Sequence, residues 1–265
     1  MISSSFKIPP SEPNLTSDII HIWFAVLDQP VSEISGFVKT LSKDETIRAG
    51  RFHFQKDRNR FIARHGILRT ILGCYLGVKA SELQFYHGKA GKPATSEIFG
   101  KRAIHFNISH SDGVALFAFA RKYEIGVDIE RIRDISESEQ IVEQFFSARD
   151  KFFYHALPQE KRRDAFFNCW ARQEAFTKGI GQGLSWPLNK FDVMPVTGEW
   201  YSPQTVEGAP KGVSDWSIQS LNLDREYAGA LAINRKNFTL RSFEWMNSDA
   251  HCELSNKSNL SGELI

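Results

Sequence analysis

The sequence predicts an α+β fold made of two similar subdomains with a ligand cleft between them. Three observations predict it. The chain has 265 residues, enough for one large domain or two small ones, and its 42% hydrophobic and 24% charged residues are an ordinary globular balance. The order strand, helices, loop, strand pair occurs roughly twice. The two long predicted helices also share a local echo, F-I-A-R in the first and C-W-A-R in the second. The period is about half the chain, far too long for a solenoid repeat.

The elements follow in order. Residues 1–18 are Ser/Pro-rich and read as a loose segment. I-I-H-I-W-F-A-V-L at 19–27 reads as a buried strand. Ser42 is placed to cap a helix from 43, with Glu45 at the capping-box position. A helix over 57–76 carries Phe61, Ile62, Leu68, Ile71, Leu72 and Tyr75 at helical spacing. G-K-A-G-K-P at 88–93 is a loop. Strands follow at 104–110, ending in a polar turn, at 114–120 and at 125–130. The second half has a helix over 137–145, a turn at 147–149 that starts another, and a long helix over 161–178 stopped by Gly179 as its C-cap. Strands are expected at 191–193, 216–221 and 227–233, with an added edge strand at 238–243. The expected organisation is an N-terminal subdomain over 19–121, a C-terminal subdomain over 122–245 carrying the metal site, and a polar, disordered tail over 246–265.

The formal charge is +2, so no global field commits the chain to nucleic acid. The charge is uneven, however. Arg48, Arg51, Lys56, Arg58, Arg60, Arg64 and Arg69 crowd one stretch against Asp57, while 124–143 is rich in acids. That pairing suits a phosphorylated small ligand and a divalent cation. Cys74, Cys169 and Cys252 are far apart and lack metal-ligand spacing. Cys74 and Cys169 read as buried thiols, and a reducing compartment is favoured. No secretory segment and no membrane-spanning apolar run is apparent, so the expectation is cytoplasmic.

Two short stretches carry the chemistry. In G-V-D-I-E at 126–130, Asp128 and Glu130 share one face of a strand while Val127 and Ile129 face the core. In W-A-R-Q-E-A-F-T-K at 170–178, Glu174 and Lys178 lie one helical turn apart on one face. If the helix runs along the strand, the three carboxylates and one ammonium converge. Hard oxygen ligands that leave room for water and phosphate suit Mg²⁺, and a lysine suits a phosphate oxygen. The set points to chemistry on a pyrophosphate.

These blocks, together with F-N-I-S-H-S at 106–111, F-F-S at 145–147 and the run to Leu184, resemble the signature blocks of the 4′-phosphopantetheinyl transferase superfamily, in its surfactin-synthetase-activator (Sfp-like) type. The resemblance spans 19–243 with the blocks in family order. It implies a pseudodimer of two α+β subdomains in one chain, acting as a monomer. It implies transfer of the 4′-phosphopantetheine group from coenzyme A to a serine of an acyl, peptidyl or aryl carrier protein, releasing 3′,5′-ADP. The alternative is a weak or inactive relative that binds coenzyme A or a carrier. Neither nucleic acid nor membrane is an expected partner.

The resemblance also implies residue roles. Asp128, Glu130 and Glu174 match the ligands of Mg²⁺, with Mn²⁺ as the alternative, and Glu174 also matches the general base. Lys178 would stabilise the leaving phosphate oxygen. Ser109 and His110, read as lying just past a strand end, match the pair that touches the nucleotide phosphates. Lys92 and Pro93 match the loop beside the adenine and the 3′-phosphate, and Arg60 and Arg48 match cations on that phosphate.

Two departures stand out. Gln173 occupies a position where the family usually has Lys. It points about a quarter turn from Glu174, so it should tune affinity or carrier preference and not bind metal. Glu45 stands where some members carry a base. Arg51, Arg58 and Arg64 read as a solvated helix face. Gly179, Gly181 and Gly183 follow a helix, so they cap it and do not cradle phosphate. Trp170 joins Phe166, Phe167 and Phe176 in a packing stripe. Ser109, His110 and Asp112 are too close in a turn to form a hydrolase triad.

Overall fold

The computed structural model describes residues 6–10, 13–87, 93–95, 104–181, 187–194, 202–205 and 212–246. The first half comprises β1 (Ile19–Val26), α1 (Val31–Val38), α2 (Lys43–Gly50), α3 (Gln55–Leu76), β2 (Phe85–His87), β3 (Pro93–Thr95), β4 (His105–Ser111) and β5 (Val114–Ala120). The second comprises β6 (Ile125–Arg131), α4 (Ser138–Phe145), α5 (Ala148–Ala156), α6 (Gln159–Ile180), β7 (Phe191–Asp192), β8 (Gln204–Thr205), β9 (Ser217–Ser220), β10 (Tyr227–Ile233) and β11 (Thr239–Glu244). One sheet has the order β11-β1-β5-β4, and another has the order β6-β10-β9.

Strand alternation sorts these elements into four layers. Ala115, Phe117 and Phe119 of β5 pack with α3, while Leu116, Ala118 and Ala120 face the other sheet. There they meet Ile125, Val127 and Ile129 of β6 and Leu231 and Ile233 of β10. Ala228, Ala230 and Ala232 of β10 face the opposite way, toward α6. The order is therefore α3, first sheet, second sheet, α6. Each fully buried Ile, Leu or Phe in such a layer contributes roughly 1.5–3 kcal/mol. The two covering helices are equivalent: each has 22 residues and each ends on a left-handed glycine, Gly77 (φ 70°) and Gly181 (φ 73°). That equivalence is the physical content of the internal echo.

Local rules explain the helix starts. The Ser42 capping box forms in full, with Glu45 N–H donating to Ser42 Oγ at 3.2 Å and Ser42 N–H donating to Glu45 Oε2 at 2.8 Å. The same Glu45 oxygen accepts from Arg69 Nε at 2.7 Å, which ties α2 to α3. Arg69 is 1% exposed and also donates to the carbonyls of Ala80 and Leu83. Ser147 caps α5 through Asp150 N–H.

Two sequence expectations change, and a third gains its partner. Gly179 is not the C-cap of α6. The helix runs two residues further, to a cap at Gly181, and Gly179 lies inside it, against β6 and the ring of Trp216. The edge strand expected at 238–243 forms as β11, and the edge it occupies is that of the first sheet, in parallel with β1. Within the N-terminal segment, Lys7 bridges to Phe243 and Leu15 is buried, so parts of that segment are tied down. The expected tail beyond Met246 lies outside the described residues.

Asp150 makes a pH prediction about the fold. It is fully buried, and its carboxylate accepts from the backbone N–H groups of Val193 at 3.1 Å and Met194 at 2.9 Å. Burial raises its pKa from 3.8 to about 6 against those hydrogen bonds. The protonated form is therefore favoured in the fold. Its contribution is complete below 3.8 and is lost as pH rises through about 6, on the order of 3 kcal/mol. Asp150→Asn keeps an acceptor oxygen and removes the titration. Urea unfolding at about pH 4.5 and about pH 7.5 should show the variant gaining relative to the parent chain at the higher pH. Parallel pH dependences would refute the assignment.

Candidate active site

The site is built on a seam between the two sheets. β4 and β6 are edge strands that share no backbone ladder, and an unpaired edge leaves N–H groups to satisfy. Side chains of β4 do so. Asn107 Oδ1 accepts from Val127 N–H at 2.9 Å, and Ser111 Oγ accepts from Arg131 N–H at 3.0 Å. Between them, Ser109 Oγ donates to Asp128 Oδ1 at 2.7 Å. Ser111 Oγ also lies 3.3 Å from Glu130 Oε2. Asn107 and Ser111 were missed as site residues. The signal was present: N-x-S-x-S puts three polar groups on one face of a buried strand, which needs partners there.

α6 lies along β6 on the face that carries Asp128 and Glu130. Lys178 Nζ reaches Asp128 Oδ1 at 2.5 Å and Ser109 Oγ at 3.1 Å. Asp128 is 1% exposed. Glu174 stands one turn before Lys178 and is half-buried. Its carboxyl is pushed above the usual range by burial and by Asp128, with Lys178 opposing. Glu130 is raised in the same way, first by burial and then by Asp128, against Ser111 and Lys178. The expected convergence of Asp128, Glu130, Glu174 and Lys178 is thus electrostatic and close. It is not a closed ligand set: among the described residues no three His, Cys, Asp or Glu side chains gather tightly enough to hold a metal ion. Lys178 engages Asp128 directly. The donor set still fits a divalent cation. Its oxygens are hard, Asp128 Oδ2 is buried without a hydrogen-bond partner, and burial together with the Asp128 charge pushes both glutamate carboxyls up.

Ser109 and His110 lie within β4, not past its end, so they point to opposite faces. Ser109 faces Asp128. His110 faces the cleft on the α3 side, where the surrounding protein, then Arg64, Lys178 and His65, lowers its pKa to about 4. Arg60 grips both oxygens of Asp28 through Nε and Nη2 at 2.6 Å, and its Nη1 lies 3.6 Å from Asp112. Arg48 is exposed on α2. Arg64 is not the solvated residue its position suggests: it is half-buried beside Arg48, and burial followed by that neighbour lowers its pKa to about 10. Lys92 lies outside the described residues, and Pro93 opens β3.

Gln173 points away from Glu174, as expected, and is fully buried. Its amide donates to the carbonyls of Phe145 at 3.2 Å and Leu188 at 3.5 Å, joining α6 to the end of α4 and the chain after α6. Glu45, at the other departure, is committed to its capping box and Arg69. Cys169 is fully buried and Cys74 half-buried, and neither is in a disulfide. Among the described residues no helix is long and apolar enough to cross a membrane.

Comparison with known proteins agrees with this geometry. The model of the 4′-phosphopantetheinyl transferase superfamily matches residues 124–232, the half that holds β6, α6 and β10. A second model, 4′-phosphopantetheinyl transferase, N-terminal, matches residues 29–121. The chain is 37% identical over 226 residues to the 4′-phosphopantetheinyl transferase HetI of Nostoc, covering 84% of this chain and 92% of that protein. It is 30% identical over 174 residues to the 4′-phosphopantetheinyl transferase Sfp of Bacillus subtilis, covering 65% and 75%. It is 23% identical over 211 residues to the mouse L-aminoadipate-semialdehyde dehydrogenase-phosphopantetheinyl transferase, covering 75% and 68%. The two models meet at the junction between the sheets, and the HetI match runs through both. The chain belongs to the 4′-phosphopantetheinyl transferase superfamily.

Proposed function

We propose that this chain transfers the 4′-phosphopantetheine group of coenzyme A to a serine hydroxyl of a carrier protein. The observation that carries the reading is the meeting of Lys178, Ser109 and Asp128 beside Glu130 and Glu174. In the transfer, the serine oxygen bonds to the phosphorus of the pantetheine phosphate. The bond from that phosphorus to the bridging oxygen breaks, and 3′,5′-ADP departs with the electron pair. The serine proton goes to Glu174, whose raised pKa strengthens it as a base. Lys178, already held at the seam, neutralises charge developing on the leaving oxygen. Ser109 orients both Asp128 and Lys178.

Asp128, Glu130 and Glu174 would hold Mg²⁺. The cation, when bound, supplies charge neutralisation across the pyrophosphate oxygens. Arg48, Arg60, Lys92, Pro93 and His110 are proposed on the nucleotide side. The functional halves are taken as 19–121 and 122–245, which together supply both walls of the cleft. A cytoplasmic monomer is part of the same reading.

The test is intact mass of a purified apo carrier protein after incubation with this chain, coenzyme A and Mg²⁺. A gain equal to the phosphopantetheine group, absent in EDTA, is expected. No gain on acyl, peptidyl and aryl carriers would leave binding without transfer as the function.

A further inference from the structure

We propose that Ser111 is a positioning residue for Glu130, held in register by the Asp112–Gly113 turn, so that β4 as well as β6 aims the carboxylates proposed for the cation. This rests on the transferase reading above and concerns the same site.

Ser109 and Ser111 are two apart on β4, and Asp128 and Glu130 are two apart on β6, so each pair shares a face of its strand. Ser109 meets Asp128 and Ser111 meets Glu130 at the same offset of 19 positions. The two strands thus run side by side in register, with serine–carboxylate bonds where a ladder would stand. The hydroxyl of Ser111 has one proton to give. Its oxygen accepts from the Arg131 N–H at 3.0 Å, which commits a lone pair to backbone and leaves the proton for Glu130 Oε2 at 3.3 Å. Among the described residues, Ser111 is the hydrogen-bond donor to the Glu130 carboxylate. Asp128 is held differently, by Ser109 and by Lys178. Glu130 sits one residue from the end of β6, and a glutamate left free there would sample several rotamers. The Ser111 bond selects among them before a cation arrives.

Ser111 is itself pinned by the hairpin that follows. Asp112 (φ 40°) and Gly113 (φ 86°) join β4 to β5 as the two left-handed positions of a two-residue turn. Three elements hold this turn. The Asp112 carboxylate pairs with Arg131 of β6 and lies 3.6 Å from Arg60 of α3. Tyr227 of β10 directs its hydroxyl at the Asp112 carbonyl at 3.4 Å. Arg131 is therefore caught twice, through its N–H by Ser111 and through its guanidinium by Asp112. The residue after Glu130 cannot slide along the seam without breaking both contacts. Asp112 and Arg131 are exposed, so their pairing acts through geometry more than through energy.

Mn²⁺ titration followed by electron paramagnetic resonance, with coenzyme A present and carrier absent, tests the assignment. Ser111→Ala should weaken Mn²⁺ affinity roughly 10-fold, the low end for loss of a residue that orients a ligand. In transfer assays the Mg²⁺ concentration for half-maximal rate should rise by the same factor, while kcat at saturating Mg²⁺ moves little. Ser111→Thr keeps the hydroxyl and should recover most of the loss. Asp112→Asn tolerates the left-handed backbone and should reproduce part of it. Parent affinity in that variant would remove the turn from the assignment. Ser42→Ala costs stability at the cap of α2, outside the seam, and should keep the parent affinity. Parent affinity in Ser111→Ala, no recovery in Ser111→Thr, or an equal loss in Ser42→Ala would show that Ser111 only closes the seam, and would overturn the proposal. An unmodified chain that modifies no carrier, yet shows the expected order of Mn²⁺ affinities, would sink the transferase reading and uphold the positioning role.

Discussion

Glu174→Gln is expected to cut transfer to the carrier by roughly a thousandfold or more while the chain stays folded. A general base alone is worth about 10²–10⁴-fold, and the same side chain is proposed to bind the cation. The substitution is close to isosteric and removes a charge that burial and Asp128 already disfavour, so the fold has little to lose. Thermal unfolding should stay near that of the parent chain, and binding of adenosine 3′,5′-bisphosphate without metal should be retained. Those readouts separate lost chemistry from lost structure. Transfer within tenfold of the parent rate would remove Glu174 from the mechanism. Its neighbour Asp128 is the less clean probe, because it pairs with Lys178 at 2.5 Å and its removal leaves an ammonium uncompensated.

The second large effect concerns a residue with no side chain. A methyl group at Gly126 would sit 2.0 Å from the Ala175 carbonyl oxygen and 2.3 Å from the Gly179 nitrogen, both backbone atoms of α6. Backbone cannot rotate aside, so α6 must lift from β6. Gly126→Ala should therefore cost about 3 kcal/mol by overpacking. It should also depress transfer in the molecules that remain folded, because Glu174 and Lys178 ride on the displaced helix. Gly179→Ala meets the ring of Trp216 at 2.5 Å, a side chain and not backbone, and Gly126 N only at 3.3 Å. Its cost should be smaller. Urea unfolding of both variants gives the order. Equal costs, or a Gly126→Ala loss below about 0.5 kcal/mol, would show that the close approach is not what seats the helix.

This close approach explains one error in the sequence reading. A glycine near the end of an apolar helix is taken as its cap, and Gly179 met that description. The cap is Gly181, and Gly179 is small because the ring of Trp216, and behind it the backbone of Gly126 in β6, pass against it. Arg64 illustrates the same limit from the other side. Its spacing on α3 is that of a solvated residue, but the turn that brings α2 alongside puts Arg48 and half-burial beside it.

Local pattern alone determined the elements and half of the chemistry. Alternation over 125–131 puts Val127 and Ile129 in the core with Asp128 and Glu130 on the other face, and the i,i+4 spacing puts Glu174 beside Lys178. The Ser42 box likewise depends on four consecutive residues. These are properties of φ, ψ and neighbouring side chains, and they can be read from a short window. The tertiary structure decided what those faces meet. Lys178 and Ser109 are 69 positions apart, and Lys178 and Asp128 are 50 apart. Whether β6 pairs with another strand or takes side chains from β4, whether Arg60 is spent on Asp28, and whether Gln173 faces solvent or two carbonyls are all set by contacts between distant segments. Such contacts form only when the two halves close over one another, and no local periodicity encodes which polar group will be left beside which.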